Sequence, residues 1–221
     1  MIRTRRMAAI GLGALALTGC GVFPGQGPAP VLVRPAAFTA LGVTAAYLNG
    51  DVISGSRARA GKMRAAGIRP LGAGEAPAYM YRAEQELRQQ TAGIGIDVIH
   101  LADGVLIRVP ASMTFDPGSA AIKPQIDATL TEVARTVKSF NRTYVDVLAH
   151  TDTSGTPSGN LALSQKRAAA AAVFLGRRGV AKARIASRGL GEGAPLYAVE
   201  SSEVEKAANR RLEIRLVPYR G

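Results

Sequence analysis

The spacing of hydrophobic residues changes several times along this chain, and each change predicts an element. Ile94, Ile96 and Val98 alternate with small or polar residues, as do Val105, Ile107 and Val109. A period of two predicts strands, and Asp103-Gly104 between the two runs predicts a hairpin. From Ile122 to Phe140 the period lengthens, placing Ile126, Leu130, Val133 and Val137 on one helical face. The segment Thr143 to Ala149 returns to strand character. Asn160 to Arg178 is an Ala-rich helix with Gly179 placed to cap its end. Arg184 to Arg188 and Leu212 to Val217 predict two further strands, and Tyr79 to Gln90, dense in good helix formers, predicts a helix ahead of the hairpin. Helices alternating with strands imply an α/β (α+β) sandwich, with a small mixed four-stranded sheet against two or three helices. The first hairpin run adds an extra N-terminal strand.

The beginning of the chain follows another logic. Arg3, Arg5 and Arg6 precede an apolar stretch from Met7 to Leu17, which ends in Leu17-Thr18-Gly19-Cys20. That stretch falls well short of the roughly 20 apolar residues of a membrane-spanning helix, but it suits the core of a secretory signal peptide. The ending resembles the bacterial lipobox, which implies cleavage after residue 19 and acylation of Cys20, the chain's single cysteine. Gly21 stands where an acidic residue would retain such a protein at the inner membrane, so the outer membrane is the expected destination. A Gly11-Leu-Gly-Ala-Leu-Ala16 match to a dinucleotide-binding pattern is rejected, since no strand precedes it and it lies in the leader. Residues 20–77, rich in Gly, Pro and Ala, read as the lipidated cysteine and a linker, with a short helix from Ala36 to Leu48. As a flexible coil such a linker spans roughly 40 Å. Order is expected from about residue 78, with the helix and lead-in strand over 78–103 and the main domain over 104–221.

Composition narrows the functions available. The formal charge is +12, falling to +9 once Arg3, Arg5 and Arg6 leave with the signal peptide. Such a balance suits an anionic partner: nucleic acid, a membrane face or an acidic polymer. Export removes nucleic acid from that set. The basic cluster Arg57, Arg59, Lys62, Arg64 and Arg69 reads either as a contact to anionic lipid or wall, or as a solvated linker. Only His100 and His150 are present and no second cysteine exists, so no metal or cofactor is expected. His150, Asp152 and Ser154 supply the residue types of a catalytic triad, but side chains this close in sequence rarely converge on one reacting atom. No enzyme activity is expected. A channel-forming role would need a full transmembrane helix with an ionisable residue, which residues 7–17 do not provide.

Recognition has better support. Asp152 follows a predicted strand, at the mouth of the loop Gly155-Thr-Pro-Ser-Gly-Asn160, and Arg167 lies about two turns into the next helix. The end of the strand and the start of the helix are neighbours in such a unit, so carboxylate and guanidinium can face one cleft. A zwitterionic amino-acid group needs that pair, because Arg forks onto its carboxylate while Asp accepts from its ammonium. On spacing alone, a simple pair between the two side chains is the favoured alternative.

Phe115-Asp116, His150-Thr-Asp-Thr-Ser-Gly155, Asn160-Leu-Ala-Leu-Ser-Gln-Lys-Arg167-Ala, Gly189-Leu-Gly-Glu192 with Pro195, and Asn209-Arg-Arg-Leu-Glu-Ile214 occur in this order. Together they resemble the OmpA C-terminal-like family over about residues 104–217. The resemblance implies non-covalent binding to the diaminopimelate of peptidoglycan stem peptides. It assigns Asp152 to the ligand's ammonium and Arg167 to its carboxylate, with Asp116 and Asn160 lining the pocket and Leu163 and Ser164 on the helix beneath. It treats Asn209 and Arg210 as mainly structural. The chain departs from the family pattern at Ala149, where glycine is usual, and at Glu205-Lys206, which puts that loop in doubt. The expected protein is an outer-membrane lipoprotein that tethers the membrane to the wall with its domain in the periplasm. A wall-binding accessory to a peptidoglycan-modifying or hydrolysing enzyme is the alternative.

Overall fold

The computed structural model describes residues 57–220. The leader, Cys20 and the helix expected at residues 36–48 lie outside the described residues. Five strands, β1 (Asp97–Leu101), β2 (Gly104–Pro110), β3 (Thr143–His150), β4 (Ile185–Gly191) and β5 (Arg211–Pro218), form one sheet in the order β1-β2-β5-β3-β4. The helices are α1 (Arg57–Ala65), α2 (Glu75–Thr91), α3 (Ala111–Thr114), α4 (Pro124–Ser139), α5 (Pro157–Arg177) and α6 (Glu203–Asn209). β3 and β4 are parallel, while β1–β2, β2–β5 and β5–β3 are antiparallel. Parallel neighbours need a crossover, and α5 supplies it. This is the mixed sheet expected from the sequence, with the extra strand β1 at its edge.

Alternation along the strands gives the sheet two different faces. Val105, Ile107 and Val109, Val145, Val147 and Ala149, and Leu212, Ile214 and Leu216 point into the main core. There they meet Met80 and Leu87 of α2, the expected α4 stripe of Ile126, Leu130, Val133 and Val137, and Ala168, Ala171 and Leu175 of α5. The opposite face carries Asp146 and His150 of β3 beside Arg211, Glu213 and Arg215 of β5, all buried. Arg211 Nε donates to Glu213 Oε1 at 2.7 Å, and Glu213 Oε2 lies 3.5 Å from His150 Nε2. Burial pulls His150 below its ordinary pKa, and Arg211 adds to the effect. For Glu213 burial acts upward, but the Arg211 charge and then His150 hold it well below the usual carboxylate range.

Two glycines are fixed by close approach rather than by turn geometry. A Cβ on Gly104 would stand 2.1 Å from the Leu216 carbonyl oxygen, so the hairpin glycine serves the β2–β5 contact. A Cβ on Gly189 would stand 2.1 Å from Gln165 N, so Gly189 lets α5 lie directly on β4. The start of β4 also shifts from expectation. Arg184 sits in a 3₁₀ turn (Lys182–Arg184) and sends its guanidinium inward, donating to the carbonyls of Val137, Phe140 and Thr143. Carbonyls at the end of α4 have no partner within the helix, and Arg184 satisfies them. Burial lowers its pKa to about 10.

The linker does not extend to residue 77 as expected. α1 begins at Arg57 and is fixed to the sheet through Arg59, which pairs with the Asp146 carboxylate and donates to the Val145 carbonyl at 2.9 Å and to the Arg184 carbonyl. Arg59 also lies over the Tyr144 ring at 5.0 Å. Met63, fully buried, packs with Tyr144 and Tyr219 in a small second core. Further on, Leu71 N donates to the Tyr219 carbonyl at 2.7 Å. This segment is held by a buried arginine and one methionine rather than by an apolar stripe. In sequence it therefore looks like a charged, glycine-punctuated linker.

Candidate functional site

The expected residues gather where β3 ends. Thr151 N continues the strand by donating to the Gly191 carbonyl at 2.9 Å, and the register between β3 and β4 shifts at Ala149/His150. The chain then turns out through Asp152 and the loop to α5. That helix is started by Thr156, whose hydroxyl accepts from Gly159 N, and by Pro157 in its first turn. Asn160 lies in that turn and holds two segments at once. Its Nδ2 donates to the Asp152 carbonyl at 3.2 Å and to Glu192 Oε2 at 2.7 Å. One turn on, Ser164 Oγ accepts from Gly191 N at 2.9 Å, locking the helix to the end of β4.

Arg167 lies ten residues into α5 from Pro157, nearer three turns than two. Its guanidinium is enclosed by the loop after α3. Nε donates to the Ser119 carbonyl at 2.8 Å, Nη2 to the Asp116 carbonyl at 3.1 Å, and the group stacks over the Phe115 ring at 5.0 Å. Arg167 is buried, and its guanidinium has no carboxylate partner within ion-pair distance among the described residues. Burial lowers its pKa, Arg210 lowers it further, and Asp152 works in the opposite direction. All three charges therefore act within one local field.

Asp152 and Arg167 do not form an ion pair with each other. Asp152 Oδ1 accepts from Ser154 N at 3.1 Å, and Oδ2 is bound by Arg210, which also pairs with Glu203 of α6. Arg210, which the resemblance treats as mainly structural, thus contacts the site carboxylate itself. Because β5 runs antiparallel to β3, its start lies beside the end of β3, and Arg210, the residue just before β5, reaches the Asp152 carboxylate. That register is the signal that could have found it. Asn209 does hold structure: it is fully buried, accepts from Leu196 N and Tyr197 N, and donates to the Tyr197 carbonyl and Glu200.

Asp116 meets Arg167 through its backbone rather than its side chain. Its carbonyl contacts Arg167, while its exposed carboxylate turns to Lys123 Nζ at 3.2 Å. Glu200 was not anticipated; it accepts from both Thr153 N and Thr153 Oγ1 and so fixes the loop after Asp152. For Glu200 burial acts upward, but the bonds from Thr153 and Asn209 bring its pKa below the usual value. The unusual Glu205-Lys206 pair also has a role. Glu205 closes a capping box with Ser202 and starts α6, the helix that carries Glu203.

The groups at this place are of the kinds that pair with a small zwitterion. Arg167 offers a desolvated fork already oriented by neutral carbonyls, and Asp152 offers a carboxylate whose present partner is another cation. Among the described residues no three His, Cys, Asp or Glu side chains converge as a metal-binding set, and no helix is long and apolar enough to cross a membrane.

Comparison with known proteins places the chain. A model of the OmpA family matches residues 114–210, a span that holds Asp116, Asp152, Asn160, Arg167 and Arg210. The chain is 37% identical to the probable lipoprotein YiaD of Escherichia coli (strain K12), over 98% of this chain and 98% of that one. It is 31% identical to the peptidoglycan-associated lipoprotein of Mesorhizobium japonicum, over 47% of this chain and 62% of that protein. Among solved structures, a putative MotB-like protein from Desulfovibrio vulgaris has a TM-score of 0.57 at 23% identity, covering 63% of this chain and 94% of the other. The cell wall anchor of the T6SS from Pseudomonas aeruginosa has a TM-score of 0.56 at 24% identity, covering 63% and 99%. These two share the fold. With the family's motifs in place around one site and similarity to a relative running the length of the chain, the protein belongs to the OmpA family.

Proposed function

We propose that this protein is an outer-membrane lipoprotein whose folded domain binds the diaminopimelate of peptidoglycan without cutting it, and so tethers the membrane to the wall. The observation that carries this reading is the state of Arg167. Its guanidinium is buried, oriented by two backbone carbonyls and an aromatic ring, and not paired with a carboxylate among the described residues. A carboxylate arriving there gains a charge-assisted, bidentate contact at a group whose desolvation folding has already met. Asp152 then receives the ammonium carried by the same carbon, displacing or sharing the Arg210 contact. The end of the diaminopimelate side chain carries both groups. Asn160 and the Asp116 carbonyl hold these two partners in place rather than supplying charge. The names of the relatives point the same way, since they include a peptidoglycan-associated lipoprotein and a cell wall anchor. The lipobox-like Leu17 to Cys20 supplies the anchor, and Gly21 directs it outward.

The test is co-sedimentation of the unacylated protein (Cys20→Ala, from residue 20) with purified diaminopimelate-type sacculi. Removing one partner of a desolvated charge contact costs about 2–5 kcal/mol, so Arg167→Ala should weaken binding about 30-fold or more. Arg167→Lys should rescue poorly, because a point charge does not reproduce the fork. A folded Arg167→Ala protein that holds sacculi as tightly as the parent would refute the assignment. Release of soluble wall fragments would refute binding without cutting.

A further inference from the structure

The two ends of the sheet differ in charge. β3 runs from Thr143 to His150, so the site beyond His150 and the end at Thr143 lie about 23 Å apart along the strand. α1 sits at the Thr143 end, where Arg59 contacts Val145, Asp146 and Arg184, and Met63 packs on Tyr144 and Tyr219. With Arg59 and Met63 turned inward, Arg57, Lys62 and Arg64 are left exposed, and Arg69 follows, also exposed. Two other elements bring exposed cations to the same end. Lys182 stands in the 3₁₀ turn whose Arg184 carbonyl receives Arg59, and Arg220 bridges Leu71. None of these six side chains has an ion pair among the described residues. The first acid after α1, Glu75, is already engaged by Gly72 N and Arg142.

We propose that this basic end is a docking surface for anionic phospholipid headgroups. The domain would then face the membrane with its α1 end and the wall with its Arg167 end. Charge complementarity is the first argument, because six cations without acidic partners among the described residues lie at one end of the fold. The second is chain direction. The backbone leaving α1 toward Cys20 departs from this same end, so the acylated cysteine delivers this surface to the membrane. Residues 21–56 carry only Arg34 and Asp51, which balance, so the attraction is concentrated on the folded end rather than along the tether. The membrane reading of this surface stands without the diaminopimelate assignment, since the two use opposite ends.

The experiment measures binding of the same unacylated protein to vesicles of phosphatidylcholine alone and of phosphatidylcholine with phosphatidylglycerol. Each basic residue near an anionic surface contributes about a five-fold gain in partitioning. The protein should therefore bind the phosphatidylglycerol vesicles and not the neutral ones, and raised salt should release it. Arg57→Glu/Lys62→Glu/Arg64→Glu/Arg69→Glu should lower partitioning by at least about 100-fold. Lys182→Gln/Arg220→Gln, which leaves α1 intact, should lower it by about 30-fold, and Arg167→Ala should not change it. No preference for anionic vesicles would overturn the proposal, as would charge-reversed α1 binding as the parent does. If the reversed protein instead loses sacculi while neither protein binds vesicles, the basic end serves the wall and the membrane assignment is wrong.

Discussion

Arg59→Ala tests whether the folded body begins at α1. The Arg59 side chain is 8% exposed and its partner Asp146 2%, so the pair is cut off from water. Arg59 also satisfies the Val145 and Arg184 carbonyls, joining α1 to β3 and to the turn before β4. Burial already pushes the Asp146 carboxyl up, and Arg59 is the foremost charge opposing that rise. Deleting one member of a buried pair typically costs about 3–5 kcal/mol, against a total of about 5–15 kcal/mol for a domain. Urea unfolding of the unacylated protein should therefore show a midpoint reduced by about a fifth or more, with Arg59→Lys recovering only part. A chain starting at residue 78 should be less stable than one starting at residue 57 by a similar or larger amount. If Arg59→Ala stays within about 0.5 kcal/mol of the parent, α1 is an appendage and the sheet is complete without it.

Stability should also fall in acid in two stages. Below the ordinary histidine value of 6.5 the unfolded chain takes up a proton that buried His150, depressed by burial and by Arg211 and Arg108 against Glu213, does not. Stability is thus lost as pH falls below about 6.5, at up to about 1.4 kcal/mol per pH unit. Glu213, held well below 4.5, contributes stability that is present above about 4.5 and lost as pH falls through its lower folded value. Urea midpoints from about pH 8 to about pH 2 should show both stages, and His150→Gln should flatten the upper one; a flat parent profile between about pH 7 and pH 5 would contradict the buried neutral ring. Separately, cells fed labelled palmitate should label Cys20, and Cys20→Ala should free the protein from the membrane fraction, whereas an unlabelled protein that stays membrane-bound would refute the anchor.

The elements were legible where a period was long enough to define a face. Ile126, Leu130, Val133 and Val137 are buried together, and Val105, Ile107 and Val109 lie in β2 as expected. The first alternating run, however, is a strand only from Asp97 on, with Ile94 exposed in the turn before β1. Element ends were less legible, because side chains decide them. Arg184 leaves β4 to cap α4, and Gly104 answers to Leu216 rather than to its own turn. α1 was hidden because a buried arginine and a solvated one look the same in sequence. In the site, residue types and spacing put Asp152 and Arg167 at one cleft and the family resemblance added Asn160, while the partners depended on register. Arg210, just before β5, meets Asp152, just after the antiparallel β3, and Asp116 contacts Arg167 through its carbonyl, which no pattern of side chains encodes.

The central claim is that Arg167 reads a carboxylate and Asp152 the ammonium beside it. It is tested most directly by calorimetric titration of the unacylated protein with two stem peptides that differ only at the third residue, diaminopimelate or lysine. Lysine keeps the ammonium but lacks the second carboxylate, so the account predicts binding of the diaminopimelate peptide and at least about 30-fold weaker binding of the lysine peptide. Arg167→Ala should bring the two affinities together. Equal affinities in the parent protein would show that Arg167 does not read a carboxylate and would contradict the account.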